Sequence, residues 1–393
     1  MPSRILVVGA GLAGAGTAAA LRAGGFTGRV TLLGAERHRP YDRPPLSKAV
    51  LSGAAADPAE AVALAGLDLS GVEVLLDRPA TGLRPGVVDT DAGPLDWDGL
   101  VLATGATPVR LPGDPGQRVL RTLDDAVALR DRLVPGRRLA VVGAGWIGAE
   151  VATAARARGA AVTVVEAAAT PLAAALGEEV GARTAGWYAE AGVDLRLGCP
   201  VRTVEPDGLL LAGCDRLAAD VVLVGVGVRP ELGWLAGAGL DLERGLLVDE
   251  HLAASWPGVV AAGDCAAWWS RRFGTRLRVE HWDDALHAPA VAAATLLGRD
   301  AVHDPVPYFW SEQFGRMVQF AGHRAAGARL VWRGDPDTDR TWAAGWLAAD
   351  GRLTALLTVD RPRDLVQGRR LIAAGAAPDP ARLADPGVPV KSA

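Results

Sequence analysis

The chain has 393 residues, half of them hydrophobic, with a formal net charge of -4 and a pI near 5.9. That length suits two or three domains with substantial cores, and the charge balance gives no overall attraction to nucleic acid or to an anionic membrane surface. Three cysteines, Cys199, Cys214 and Cys265, form no C-x-x-C pair, which argues against a disulfide framework or a dithiol centre and for a soluble, cytoplasmic protein with no nucleic-acid or membrane partner.

The first apolar run, Ile5 to Val8, fits a buried parallel strand and leads into Gly9, Gly11 and Gly14 in G-x-G-x-x-G spacing. In that pattern one glycine turns tightly, one lets backbone approach a pyrophosphate, and one lets the next helix pack on the strand. The phosphates then sit at a helix N-terminus. A second strand, RVTLLGAE, closes at Glu36, 27 residues after Gly9, where a carboxylate suits a ribose hydroxyl. The uncharged stretch from Ile5 to Leu21 also reads as a signal-peptide core or membrane span, but four glycines weaken a spanning helix, only Arg4 precedes it, and no cleavage site follows.

RHRPYDRPPLSKAVL comes next, its prolines preventing a continuous helix. Arg43 suits a phosphate fork and Lys48 a single electron-rich atom; Lys48 and Lys391 are the only lysines, so Lys48 reads as more than surface charge. Residues 72–102 alternate short apolar runs with turns, as in a small sheet that returns to the first domain and ends at LATGATP. RTLDDAVALRDRL then gives a helical pattern opening at Arg121, and Pro135-Gly136 ends it.

The opening motif then repeats. RLAVVGAGWIGAEVATAARARGAAVTVVEA holds Gly143, Gly145 and Gly148, and its second strand closes at Glu166. Ala167, Ala168 and Ala169 follow, with no arginine to receive a 2′-phosphate, which favours NADH over NADPH. DVVLVGVGVRP reads as a strand ending in glycines at Gly225 and Gly227, and GVVAAGD as one delivering Asp264 at its exit. Asp264 reads equally as a helix cap or as a partner for the polyol of a flavin. Trp282 opens a helix, PYFWSEQFGRMVQFAG has an aromatic-rich strand pattern, and three alternating stretches precede a last helix near RDLVQGRRLIAAG. Most of the twelve tryptophans read as core or inter-domain packing. The six histidines show no ligand spacing, so no metal site is expected.

Two complete nucleotide-binding units imply one resident dinucleotide and one that exchanges. The resident one is expected to be FAD, which accepts a hydride and can release electrons singly. Lys48 would favour the reduced ring near N5, and Glu150, two residues after Gly148, is placed to pair with it across the two domains.

The chain resembles the FAD-dependent, NADH-using ferredoxin reductases of oxygenase systems, which share the pyridine nucleotide-disulfide oxidoreductase fold with putidaredoxin reductase and apoptosis-inducing factor. VVGAGLAG, RPYDRPPLSK, LATGATP, LRTLDDA, VVGAGWIGAE, VGVGVRP, AAGD, EHWDDALH and YFWSEQFG stand in order from about Ile5 to Arg382, with PPLSK in place of a cysteine-bearing segment. The resemblance implies an α/β fold with two Rossmann-like dinucleotide-binding domains and a C-terminal α+β domain. Its plan is an FAD domain (1–112 and 245–322) interrupted by an NAD domain (113–244) and followed by 323–393. It places Gly9, Gly11, Gly14, Glu36, Arg43, Lys48, Ala80, Arg121 and Asp264 at FAD, with Trp282 beside the flavin through its backbone. Gly143, Gly145, Gly148, Glu150, Glu166 and Gly227 fall on NADH positions, and Trp310 near the flavin where a ferredoxin approaches; Lys48, Glu150 and Trp310 are the catalytic candidates. Three departures stand out: Ala288-Pro289 for the usual Gln-Gly, Tyr188 for a common histidine, and no basic residue at 173–175. The implied activity passes electrons from NADH through FAD to a [2Fe-2S] ferredoxin that feeds a monooxygenase or dioxygenase, the enzyme being a monomer or weak homodimer. Arg271, Arg272, Arg276, Arg316 and Arg333 are candidates for a basic docking patch. The alternatives are a flavin oxidoreductase acting on a small molecule or quinone, and a redox-responsive interaction protein resembling apoptosis-inducing factor.

Overall fold

A computed structural model describes residues 2–393, and the chain divides into two compact units. The first comprises Met1–Asp42, Ala63–Thr107 and Pro230–Phe309; the second comprises Arg43–Val62, Pro108–Arg229 and Trp310–Ala393.

In the first unit, Arg4–Val8 is the middle strand of a five-stranded parallel sheet. The order is Val259–Ala261, Gly99–Leu102, Arg4–Val8, Arg29–Leu33 and Glu73–Leu75. Its central strands are continuous apolar runs because helices cover parallel sheets. The Leu12–Ala23 helix can lie close to the sheet because its buried side is mostly small, with Ala13, Gly14, Ala15, Thr17 and Ala18. The Trp282–Leu296 helix packs along it, and the proline inside that helix meets a residue able to receive it. A Cβ on Gly16 would lie only 2.9 Å from Cγ of Pro289. The segment expected to form one small sheet over 72–102 is split: its ends join the parallel sheet, while Ala80–Arg84, Val87–Thr90 and Leu95–Asp96 form a separate antiparallel one.

The second unit repeats the plan. Its parallel sheet runs Asp194–Arg196, Ala161–Val165, Arg138–Val142 and Val221–Val224, with the Trp146–Ala157 helix following the Arg138–Val142 strand. The Leu123–Arg130 helix starts two residues later than its pattern suggests. Thr122 and Asp125 exchange side-chain and backbone hydrogen bonds in a capping box, which leaves Arg121 ahead of the helix. The C-terminal sheet follows the order Tyr308–Gln313, Arg316–Gly322, Leu353–Val359, Trp342–Leu347 and Arg329–Arg333, with the Pro362–Ala373 helix packed against it. The aromatic-rich stretch is therefore two strands rather than one, turned at Phe314 and Gly315, both at positive φ.

Candidate functional site

Each parallel sheet ends in the same cradle. Gly9 (φ 110°) donates its N–H to the carbonyl of Leu33 at 2.8 Å, and Gly143 (φ 103°) donates to that of Val165 at 2.8 Å. A Cβ on Gly14 would run into the carbonyl of Gly9, and one on Gly148 into that of Gly143, so each helix is seated where no side chain fits. At Gly11 and Gly145 a Cβ would meet nothing, so the backbone there is open to a ligand. Both are helix N-caps that make no side-chain cap, and neither helix has an acidic residue in its first turn. Their first N–H groups and the positive end of the helix dipole are left for an anion. Both cradles thus fit a dinucleotide pyrophosphate by shape and by donor chemistry.

The acidic strand ends follow. Glu166 comes directly after Val165, and its carboxylate accepts the N–H of Ala144 and of Ala168, each at 2.8 Å. Glu36 comes three residues after Leu33 and accepts the Tyr41 hydroxyl at 2.6 Å. In the first unit Gly263 (φ 75°) carries Asp264 close to the first helical turn, since a Cβ there would lie 3.0 Å from that of Ala13. Ala80 opens a strand and pairs with Thr90. The Trp282 indole donates to Asp42 at 2.6 Å, holding the start of its helix to the PYDRPP segment. Before it, His281 is the N-cap; burial pushes its imidazole pKa down, against the pull of Asp284, Asp264 and Asp283.

In the second unit the expected lysine–glutamate pair is formed. Nζ of Lys48 lies 3.0 Å from a carboxylate oxygen of Glu150, which is buried on the Trp146–Ala157 helix. The Ser47 hydroxyl donates to the same oxygen, while the Ser311 hydroxyl at 2.7 Å and the Glu312 N–H at 3.3 Å donate to the other. Ser311 adjoins Trp310, so one buried carboxylate ties Lys48 to the strand carrying that tryptophan. Sequence reasoning missed Ser47 and Ser311; Ser47 had the signal of standing beside Lys48, but Ser311 reaches Glu150 from 161 residues away. An Arg43 N–H donates to the carbonyl of Arg121 at 2.5 Å. Gly227 (φ 108°) stands two residues after Gly225, whose carbonyl lies against Gly143. Tyr188 is buried in the core against Phe314.

Of the five candidate arginines, Arg333 is not a surface charge. Arg333 is buried and donates to Asp364 at 2.9 Å and to carbonyls of the C-terminal segment. Arg271 pairs with Glu250 at 2.5 Å and Arg316 with Glu190 at 2.6 Å. Arg272 donates to Asp304, and Arg276 to the carbonyls of Val248 and Ala267. Among the described residues there is no group of three or more His, Cys, Asp or Glu arranged to hold a metal ion, and no helix long and apolar enough to cross a membrane.

Residues 3–288 match the pyridine nucleotide-disulphide oxidoreductase family, and residues 308–393 match the reductase C-terminal family. Among curated proteins, the chain is 40% identical to the anthranilate 1,2-dioxygenase system ferredoxin–NAD(+) reductase component of Burkholderia cepacia, over 98% of each chain. The crystal structure of Fdr9 is 49% identical, with a TM-score of 0.94 and 99% of each chain covered. The covalent putidaredoxin reductase–putidaredoxin complex matches at 33% identity, a TM-score of 0.94, and coverage of 99% of this chain and 97% of that one.

Proposed function

The chain belongs to the pyridine nucleotide-disulphide oxidoreductase family, and from that premise we propose that it is an NADH-dependent ferredoxin reductase of an oxygenase system. The observation that carries the reading is the duplicated cradle, two sites built alike for a pyrophosphate in one chain. Dithiol chemistry has no support, because all three cysteines are free and the PPLSK segment offers a lysine where a reactive thiol would be needed.

FAD is assigned to the first cradle, where Gly9, Gly11 and Gly14 seat the pyrophosphate, Glu36 the ribose and Asp264 the polyol. Arg43, Lys48, Ala80, Arg121 and the Trp282 backbone complete that set. When bound, FAD accepts an electron pair from a reduced nicotinamide and gives electrons up singly. The second cradle takes NADH, with Gly143, Gly145 and Gly148 on the pyrophosphate and Gly227 beside the chain of the cofactor. Glu166 is already oriented by two backbone N–H groups, so it presents a fixed carboxylate to ribose hydroxyls. A 2′-phosphate would meet that negative charge with only alanines at 167–169, hence NADH over NADPH.

Lys48, held on Glu150, keeps its Nζ in place with N–H groups left to donate. Trp310 is assigned to the face a [2Fe-2S] ferredoxin approaches. The domain reading is a discontinuous FAD domain interrupted by the NAD domain, and the protein works in the cytoplasm as a monomer or weak homodimer.

The test is an anaerobic titration of purified yellow protein with NADH and, separately, NADPH, followed by a [2Fe-2S] ferredoxin with cytochrome c as reporter. Bleaching at lower concentrations of NADH and ferredoxin-dependent cytochrome reduction are expected. Bleaching with no dependence on any ferredoxin would overturn the electron-transfer reading.

A further inference from the structure

One buried ionisable pair in the first unit has no part in the chemistry above. Asp284 and His303 are 4% and 2% exposed, and Nε2 of His303 lies 2.9 Å from Oδ1 of Asp284. The Trp268 indole meets the imidazole edge-on at 4.8 Å between ring centres. The His303 backbone N–H donates to the carbonyl of Glu250 at 2.7 Å, so both ring and backbone are held. Such a pair adds little to stability, because well-packed apolar residues of similar volume often do as well or better. Its position gives it another use.

Asp284 stands in the first turn of the Trp282–Leu296 helix, where a carboxylate faces the positive end of the helix dipole. The N-cap, His281, makes no side-chain cap, and its buried Nδ1 has no hydrogen-bond partner. The charges of Asp284, Asp264 and Asp283 all act on that imidazole, so charge on Asp284 is felt at the helix N-terminus. His287, one turn further along the helix, is turned to the carbonyl of Asp283 at 2.6 Å.

We propose that Asp284, whose carboxylate is positioned by a hydrogen bond from His303, sets the electrostatic field at this helix N-terminus and thereby the reduction potential of the bound flavin. The inference rests on the reading that FAD is resident with its ring beside the Trp282 backbone. Asp284 acts through the field at the helix end, and His303 is a positioning residue for Asp284. Reduction adds negative charge to the ring, so a nearby carboxylate opposes it and its removal favours the reduced form.

The experiment is an anaerobic measurement of the flavin midpoint potential in holoprotein of the wild type, Asp284→Asn, His303→Leu and His303→Gln. Asp284→Asn is expected to raise the potential by about 30 mV or more, a tenfold change in a two-electron equilibrium. His303→Leu leaves the carboxylate buried without its donor, where charge is costly, and the potential is expected to rise in the same direction. His303→Gln keeps an N–H donor and stays near wild type. Should Asp284→Asn not fold, the two His303 variants carry the comparison alone. Equal potentials in FAD-loaded wild type, Asp284→Asn and His303→Leu would overturn the inference, as would His303→Gln rising as far as His303→Leu. If the wild type instead purifies without flavin and takes none up, the cofactor reading itself has failed.

Discussion

In the second unit the acidic residue at the strand end, Glu166, folds straight back on the glycine loop and is held by backbone N–H groups, whereas in the first unit Glu36 lies two residues further on and is held by Tyr41. The position equivalent to Glu166, the first after the strand, is Gly34, and a Cβ there would already lie 2.7 Å from that of Ala10. The strand, glycine loop and helix that precede this position coincide in the two units. At the opposite end of each sheet an aspartate clasps the first residue of the central strand, Asp98 on Arg4 at 3.0 Å and Asp220 on Arg138 at 2.7 Å. One backbone design therefore serves two sites, and the difference lies in how the ribose end is closed.

The strongest way to break this comparison is at the glycines seated against their loops. Gly14→Val would put a branched side chain where even a Cβ collides with the carbonyl of Gly9, so little or no flavin-loaded protein is expected, checked by visible absorbance and circular dichroism. Gly148→Val collides in the same way with Gly143 but is expected to leave a yellow first unit that NADH fails to bleach. Identical losses from both variants would mean that the sites are not divided as proposed.

Lys48→Ala probes the link between Lys48 and Trp310. It removes one of four donors to a buried carboxylate, at a cost of about 1–3 kcal/mol in stability. Reduction by NADH is expected to slow by roughly tenfold or more, about 1.4 kcal/mol of barrier, in stopped-flow absorbance. Wild-type kinetics would remove Lys48 from the site. Glu166→Ala sharpens the contrast at the ribose end. The NADH-to-NADPH ratio of kcat/KM is expected to fall by about tenfold, and an unchanged ratio would refute the role of Glu166.

Much of this was legible because glycines in G-x-G-x-x-G are a local signal: each turn, helix start and strand before it follows from residues within a short window. The pairing of Lys48 with Glu150 was legible because both stand in recognisable motifs. Ser311, Asp42 and His303 were not, because their partners lie 161, 240 and 19 residues away and nothing near them in sequence marks the contact. Arg333 misled for a related reason. Composition shows a charge but not its partner, and Arg333 is used up inside the C-terminal fold.

The smallest expected effect tests the clasps. The hydrogen bond from Arg138 holds the Asp220 carboxyl at about 2, below its ordinary 3.8, and Arg4 lowers Asp98 in the same way. A carboxyl depressed by folding contributes stability that is present above its unfolded value and is lost as pH falls through the folded one. Asp220→Asn should therefore melt less steeply than wild type with acidification between about pH 4 and pH 2, as followed by thermal melts. Parallel curves over that window would show that the clasp contributes nothing.

The division of labour between the two cradles is tested most directly by retention. Protein incubated with excess FAD and NAD(+) is passed through a desalting column, and the bound nucleotides are released by denaturation and quantified. About one FAD per chain with NAD(+) lost is the expected result; retention of NAD(+) with loss of FAD, or of neither, would contradict a resident flavin beside an exchanging nicotinamide.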